Sequence, residues 1–367
     1  MKPRVLFVAR GHVSLPLAPW LERKWDALAE SMDVRVLNAG SGVSDERFRV
    51  LPEGAAAFYP RLPFAIAGEL RSRRFDAVVA SDPFVGAAAL AGRALARSPA
   101  KVIVELHGDP RTFTRSYGSD ARKLVSPAAD LIARRAIAGA DATRAVSTFT
   151  SSLVEAVRGR PATACFLAYS DLTAFADRPP DPIPEAQRVV FVGALEAYKN
   201  VDGLAAAWRE VVGSHPGAVL SIVGDGSRRA VVERLLADLP GRVEHHPRLP
   251  PAEVAAELDA ARALALPSWP EGLGRVLLEA FARGRPVVGT NGGGIPDVVT
   301  DGVDGILIPR ADTAALTAAL RRVLDDRELC VRLGAAARET YGRWHQTPED
   351  LAAAYRDLID RALAGER

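Results

Sequence analysis

Cysteine is nearly absent from the 367 residues, with only Cys165 and Cys330. Two thiols so far apart suit neither a disulfide framework nor a cysteine-ligated metal, so the protein is expected to work reduced. No apolar run approaches the ~20 residues of a membrane-spanning helix. The N-terminal run at 5–9 is too short for a signal-peptide core, and a cytoplasmic location is expected. A formal net charge of +2 lacks the basic excess of a nucleic-acid binder, and no nucleic-acid partner is expected.

What is present is a chain 48% hydrophobic and 25% charged, long enough for two cores. Short apolar runs alternate with helical segments, the pattern of parallel sheets with crossover helices. Strands are expected at 5–9, ending in the turn Arg10-Gly11-His12, and at 34–37, 76–80, 101–106 and 142–147. Helices are expected at 20–30, 85–95, 120–138, the last with Arg122 and Lys123, and 148–157. Four prolines within 177–184 break this series and read as a hinge. A second alternating series starts at Arg188, so the fold class is α/β with two Rossmann-like units. Through Arg178 there are 25 Lys and Arg against 18 Asp and Glu; beyond it, 22 against 27. The basic first half is either a solvated surface or one that meets an anionic acceptor or lipid headgroups.

The most informative stretch is Pro270-Glu271-Gly272-Leu273-Gly274-Arg275-Val276-Leu277-Leu278-Glu279-Ala280. It follows a strand-like run at 263–267 and opens a helical pattern that lasts until Gly284. Glycines let backbone N–H groups approach a ligand, and the helix start adds unpaired donors with partial positive charge, a seat for phosphate. Carboxylates before and beyond the seat, Glu271 and Glu279, can accept hydrogen bonds from sugar hydroxyls. Hexose, pyrophosphate and ribose would meet Glu, seat and Glu in that order. Taken alone, the two glutamates could equally be ordinary helix-forming residues.

With Glu279-Ala-Phe-Ala-Arg-Gly-Arg-Pro-Val-Val and Gly292-Gly-Gly-Ile-Pro-Asp297 following, the stretch resembles the retaining glycosyltransferases of family 4, most specifically over residues 188–310. The resemblance implies a GT-B fold of two Rossmann-like domains facing across a cleft. Residues 1–176 would form an acceptor-side domain, 177–187 a linker and 188–345 the nucleotide-sugar domain, with 346–367 a helix returning to the first. It implies a nucleotide-sugar donor, carried by UDP or GDP, and a hydroxyl-bearing acceptor that is a glycan, a lipid or a small molecule. Peripheral contact with the inner membrane face would run through the basic domain. No Asp-x-Asp motif stands where metal-dependent inverting transferases carry theirs, and neither metal nor cofactor is expected.

Catalytic roles fall on His107, Lys199 and Glu271. His107-Gly108 follows a strand, and in the resembled family such a histidine lies against the donor sugar. Lys199, in the loop after the strand beginning at Arg188, can aim a point charge at a diphosphate on the seat of Gly272, Leu273, Gly274 and Arg275. Glu279 would take the ribose. Arg248 is the base-contact candidate, because a guanidinium plane stacks on aromatic bases. Gly11, His12 and Arg111 are the acceptor-side candidates, with Arg115 and Tyr117 in the same loop as Arg111. Two departures from the family pattern stand out: Ala194 replaces an arginine after Gly193, and Asp297 replaces a glutamate. Gly224-Asp-Gly226-Ser-Arg-Arg229, with Glu244 twenty positions after Gly224, imitates a dinucleotide fingerprint, but Arg229 fills the place of its third glycine. Neighbouring His245 and His246 should face opposite ways and cannot grip one metal together. The other functions considered are nucleotide-sugar binding without turnover, a nucleotide-sugar epimerase of the same fold, and a dehydrogenase.

Overall fold

Short runs rich in Val, Ile, Leu and Ala can bury both faces of a sheet, and strands so buried pair in parallel. Every strand pairing among the described residues is parallel. The computed structural model describes residues 2–52, 54–115 and 126–366. These divide into two compact units. The first holds the described residues up to 114, then 126–169 and 346–366; the second holds Ser170–His345 with Arg115.

The first unit contains β1 (Arg4–Ser14), β2 (Asp33–Ser41), β3 (Phe48–Leu51), β4 (Ala77–Ala80), β5 (Lys101–Leu106), β6 (Ala142–Ala145) and β7 (Ala164–Cys165), in the order β3-β2-β1-β4-β5-β6-β7. One face is packed by the helices Ala55–Ser72 and Pro83–Ala96. The other is packed by Pro19–Ser31 and by Pro348–Ala364, whose Leu351, Tyr355, Leu358 and Ile359 join the core of Phe7, Trp25 and Val36. The strand expected at 5–9 runs on to Ser14. Arg10, Gly11 and His12 form an irregular stretch within β1, where the register with β2 shifts between Ala9 and Val13, and are not a turn closing the strand. Asn38 of β2 donates to the Gly11 carbonyl there. Arg111 and Arg115 lie in the short helix Pro110–Arg115 rather than in a loop. Tyr117, Arg122 and Lys123 lie outside the described residues, and the expected helix at 120–138 is described as Ser126–Gly139.

The second unit contains β8 (Arg188–Val192), β9 (Val219–Val223), β10 (Val243–His246), β11 (Ala263–Leu266), β12 (Val287–Thr290) and β13 (Gly305–Ile308), ordered β10-β9-β8-β11-β12-β13. Strand order reverses between β8 and β11, as it does between β1 and β4 in the first unit. Open sheets of this kind bind ligands at the carboxyl ends of the strands flanking such a reversal.

The proline-rich segment 177–187 is bound to the second unit along most of its length. Prolines offer carbonyls but no N–H, so this segment needs donors. Three buried arginines supply them. Arg283 donates to the carbonyls of Phe175, Arg178 and Pro179 at 2.8–3.1 Å, and Arg285 to those of Asp181 and Pro182 at 2.8 and 3.3 Å. Arg262 donates to those of Pro184 and Glu185. Asp259 balances the charge, accepting from Arg283 at 2.7 and 2.9 Å. Removing one partner of a buried pair leaves the other charge stranded, so Arg283→Ala should cost about 3–5 kcal/mol in equilibrium urea unfolding. A loss below about 1 kcal/mol, the scale of exposed pairs, contradicts this role.

Candidate active site

The reversal point of the second unit places two loops side by side. One follows β8 and runs from Gly193 through the single helical turn Ala197–Lys199; the other follows β11 and runs from Pro267 to Gly274. Backbone contact fixes their positions, since the Trp269 N–H donates to the Tyr198 carbonyl at 2.6 Å. The buried Lys199 consequently meets Glu271 in an ion pair, and Ser268 donates to the same Glu271 oxygen at 3.0 Å. The third loop, after β12, closes beneath. The Gly294 N–H donates to the Glu271 carbonyl at 2.9 Å, and a Cβ at Gly294 would fall 2.1 Å from the Gly272 carbonyl oxygen. Only glycine fits that approach. Arg310 stacks on Trp269 with its guanidinium carbon 3.3 Å from the ring centre.

The helix Arg275–Ala282 starts after Gly274 with no side-chain cap. Its first-turn donors therefore lie beside Gly272 and Leu273, where an anion is favoured. One turn along, buried Glu279 is paired with Arg275 at 2.7 Å, while the arginine itself is largely exposed. Burial raises the Glu279 carboxyl above the usual range, and Arg275 opposes the shift. Of the expected donor-side residues, Lys199, Glu271, Gly272, Leu273, Gly274, Arg275 and Glu279 are thus held in one connected group. Arg248 is exposed beyond β10, and no hydrogen bond or ion pair among the described residues ties it to that group. Asp297 stands in the first turn of Ile295–Val298.

In the first unit His107 stands just past β5, half exposed, with Nε2 3.4 Å from Glu105. Glu105 is buried and faces Arg144 across the β5–β6 pairing; it accepts from Arg144 at 2.8 Å and from the Tyr355 hydroxyl at 2.5 Å. Burial would push the Glu105 carboxyl up, but the Arg144 guanidinium and the hydrogen bonds from His107 and Tyr355 hold it well below the usual range. His12 bonds the Ser14 hydroxyl at 2.8 Å, Gly11 is exposed, and Arg111 is locked onto Asp109 by bonds of 2.7–3.0 Å.

Two family models match the chain, "Glycosyl transferases group 1" over residues 175–340 and "Glycosyl transferase 4-like domain" over residues 8–169. The chain belongs to the group 1 glycosyltransferases. It is 36% identical over 187 residues to the D-inositol 3-phosphate glycosyltransferase of Segniliparus rotundus, covering 48% of this chain and 41% of that relative. It is also 36% identical over 173 residues to the glycogen synthase of Mycobacterium tuberculosis, covering 45% and 40%. The chain thus spans about two fifths of the length of the curated relatives it matches. Among solved structures it resembles sucrose-phosphate synthase from Thermosynechococcus elongatus, with a TM-score of 0.77 and 18% identity over 98% of this chain and 99% of that one. HepE of Anabaena in complex with UDP-glucose gives 0.69 and 17% over 99% and 100%. The fold is GT-B.

In this group 1 family member Ala194, where the family pattern has arginine, is exposed. The dinucleotide imitation fails structurally as well, because Glu244 is paired with Arg188 at 2.5 Å. His245 bonds the Gly224 carbonyl at 2.8 Å while His246 turns toward Glu244 and Glu257. The ligating atoms of Glu244, His246 and Glu257 lie within 4.8 Å of one another, but the Arg188 guanidinium sits on both carboxylates, supplying the positive charge a cation would bring. Sequence reading missed Ser268, Trp269, Arg310, Glu105, Arg144 and Tyr355. For Glu105 and Arg144 a signal existed: each is a charge inside an otherwise apolar strand, and buried charges come in pairs.

Because folding raises the carboxyl of Glu279, its contribution to stability is complete below the ordinary carboxylate range and is lost as pH rises through the raised value. Glu279→Gln should therefore be more stable than the parent at about pH 7, with the difference closing toward about pH 4. Unfolding midpoints across that range check it; a variant no more stable than the parent at any pH contradicts it.

Proposed function

We propose that this protein transfers a sugar from a nucleoside-diphosphate sugar, carried by UDP or GDP, to an acceptor hydroxyl with retention of configuration and without a metal. The observation that carries this reading is the Lys199–Glu271 pair beside the uncapped start of Arg275–Ala282, with Glu279 one turn further on, all at the β8/β11 reversal. The diphosphate takes the seat at Gly272, Leu273, Gly274 and Arg275, Glu271 accepts from hydroxyls of the sugar, and Glu279 accepts from the ribose. Lys199, paired with Glu271 beforehand, is then shared with the diphosphate. The bond from the sugar carbon to the phosphate oxygen breaks and its electrons stay on the phosphate, where Lys199 and the helix-start amides stabilise them. The acceptor oxygen bonds that carbon from the face just vacated, and its proton passes to the departing phosphate oxygen. Lys199 and the amides provide the charge that a metal provides in other transferases. Solved neighbours hold UDP and UDP-glucose, which makes UDP the first carrier to test. The substitution at Ala194 favours a second reading, donor binding without turnover.

The test is hydrolysis of UDP-sugars or GDP-sugars in excess EDTA, with the configuration of the released sugar read by proton NMR before it mutarotates. Retention is expected, and Lys199→Met should lower kcat by about 10²–10³, the usual effect of removing one donor to a developing anion. Inversion, or activity abolished by EDTA, contradicts the proposal. Nucleotide-sugar bound but never cleaved selects the second reading, and sugar released as an epimer on the nucleotide selects the epimerase.

A further inference from the structure

The first unit holds a cavity of about 160 Å³ between the ends of β1, β4 and β5 and the helices Pro19–Ser31 and Pro348–Ala364, with Lys24, Glu105, His107, Arg144, Tyr169 and Tyr355 on its walls. Its charges are unevenly satisfied. Glu105 is the acid among these residues, and both its oxygens are in use: one accepts from Arg144 and Tyr355, the other faces His107. Lys24 is set among these groups with its ammonium 4.7 Å from the Trp25 ring centre, yet it has no hydrogen-bond or ion-pair partner among the described residues. Burial pushes the ammonium down to about 8, with Glu105 opposing the shift and Arg144 adding to it. Three ammonium donors with no acceptor among the described residues, a second cation already neutralised and a histidine on the wall make a cavity short of one negative group.

We propose that this cavity is a binding subsite for a small oxyanion, a phosphate or carboxylate group held by Lys24, with Arg144 and His107 beside it. An oxyanion accepts from several donors at once and brings the negative charge that a water lacks. Every residue of the subsite belongs to the first unit, so the inference stands apart from the donor reading.

Lys24 is one of only five lysines, with Lys2, Lys101, Lys123 and Lys199, so competitive acylation with peptide mass spectrometry resolves it individually. Inorganic phosphate at about ten times its Kd should slow Lys24 acylation by about tenfold and saturably at constant ionic strength, leaving Lys2 and Lys101 unchanged. Calorimetry should find phosphate binding in the parent and in Lys24→Arg and none in Lys24→Met, each variant first shown to be folded by circular dichroism. Glucose 6-phosphate separates the sources. Protection at about tenfold lower concentration than inorganic phosphate means the group arrives on a sugar-sized molecule, and equal protection means a free anion; both support the subsite. Protection no greater than that of potassium chloride, or phosphate binding unchanged in Lys24→Met, overturns it.

Discussion

Backbone passes against backbone between neighbouring loops at the carboxyl ends of the strands, and the arrangement of the second unit depends on that contact. A Cβ at Gly224 would lie 1.9 Å from the Gly193 carbonyl oxygen, just as one at Gly294 would lie 2.1 Å from that of Gly272. With glycine at these places, the loops after β8, β9, β11 and β12 lock together, and the positions of Lys199 and Glu271 follow from the locking. The two side chains are 72 residues apart in sequence and share one ion pair because their loops have no room to be elsewhere. A seat for a diphosphate requires this rigidity, since donors held in place beforehand stabilise a leaving group without reorganising.

Charge is handled in the same way throughout the molecule. The linker carbonyls are satisfied by Arg262, Arg283 and Arg285, with Asp259 as counter-ion, and in the first unit Arg144 and Glu105 neutralise each other under His107 with help from Tyr355. Arginine suits these places because five fixed donors can serve several carbonyls at once while the charge stays delocalised. Lys24 breaks the pattern, being a half-buried point charge without an acceptor among the described residues.

Much of this was legible in the sequence, and what was not has identifiable causes. The helices expected at 85–95 and 148–157 are observed as Pro83–Ala96 and Thr148–Arg158, because caps at Asp82 and Ser147 mark their starts. The helix Ala55–Ser72 contains Pro60 and Pro63, which ordinarily argue against a helix, and β3 is a four-residue edge strand with little signal. β1 outruns its apolar core because its last residues pair through an irregular register that no periodicity records. In the candidate site, glycines and glutamates at fixed spacing announced the loop after β11. The partners drawn from elsewhere, Arg310 over Trp269 and Tyr355 on Glu105, depend on tertiary placement and left no local trace. Arg144 sits opposite Glu105 only once the register of two parallel strands is known.

The central claim is that the group around Lys199, Glu271 and Glu279 is a nucleotide seat. Thermal unfolding of the parent and of Glu279→Ala with UDP, GDP, ADP and NAD tests it most directly, since a ligand at about 100 times its Kd adds roughly 2.7 kcal/mol to the native state. A clear rise with UDP or GDP in the parent, lost in Glu279→Ala, is the result predicted. A rise with NAD alone, or with none of the four, contradicts the account.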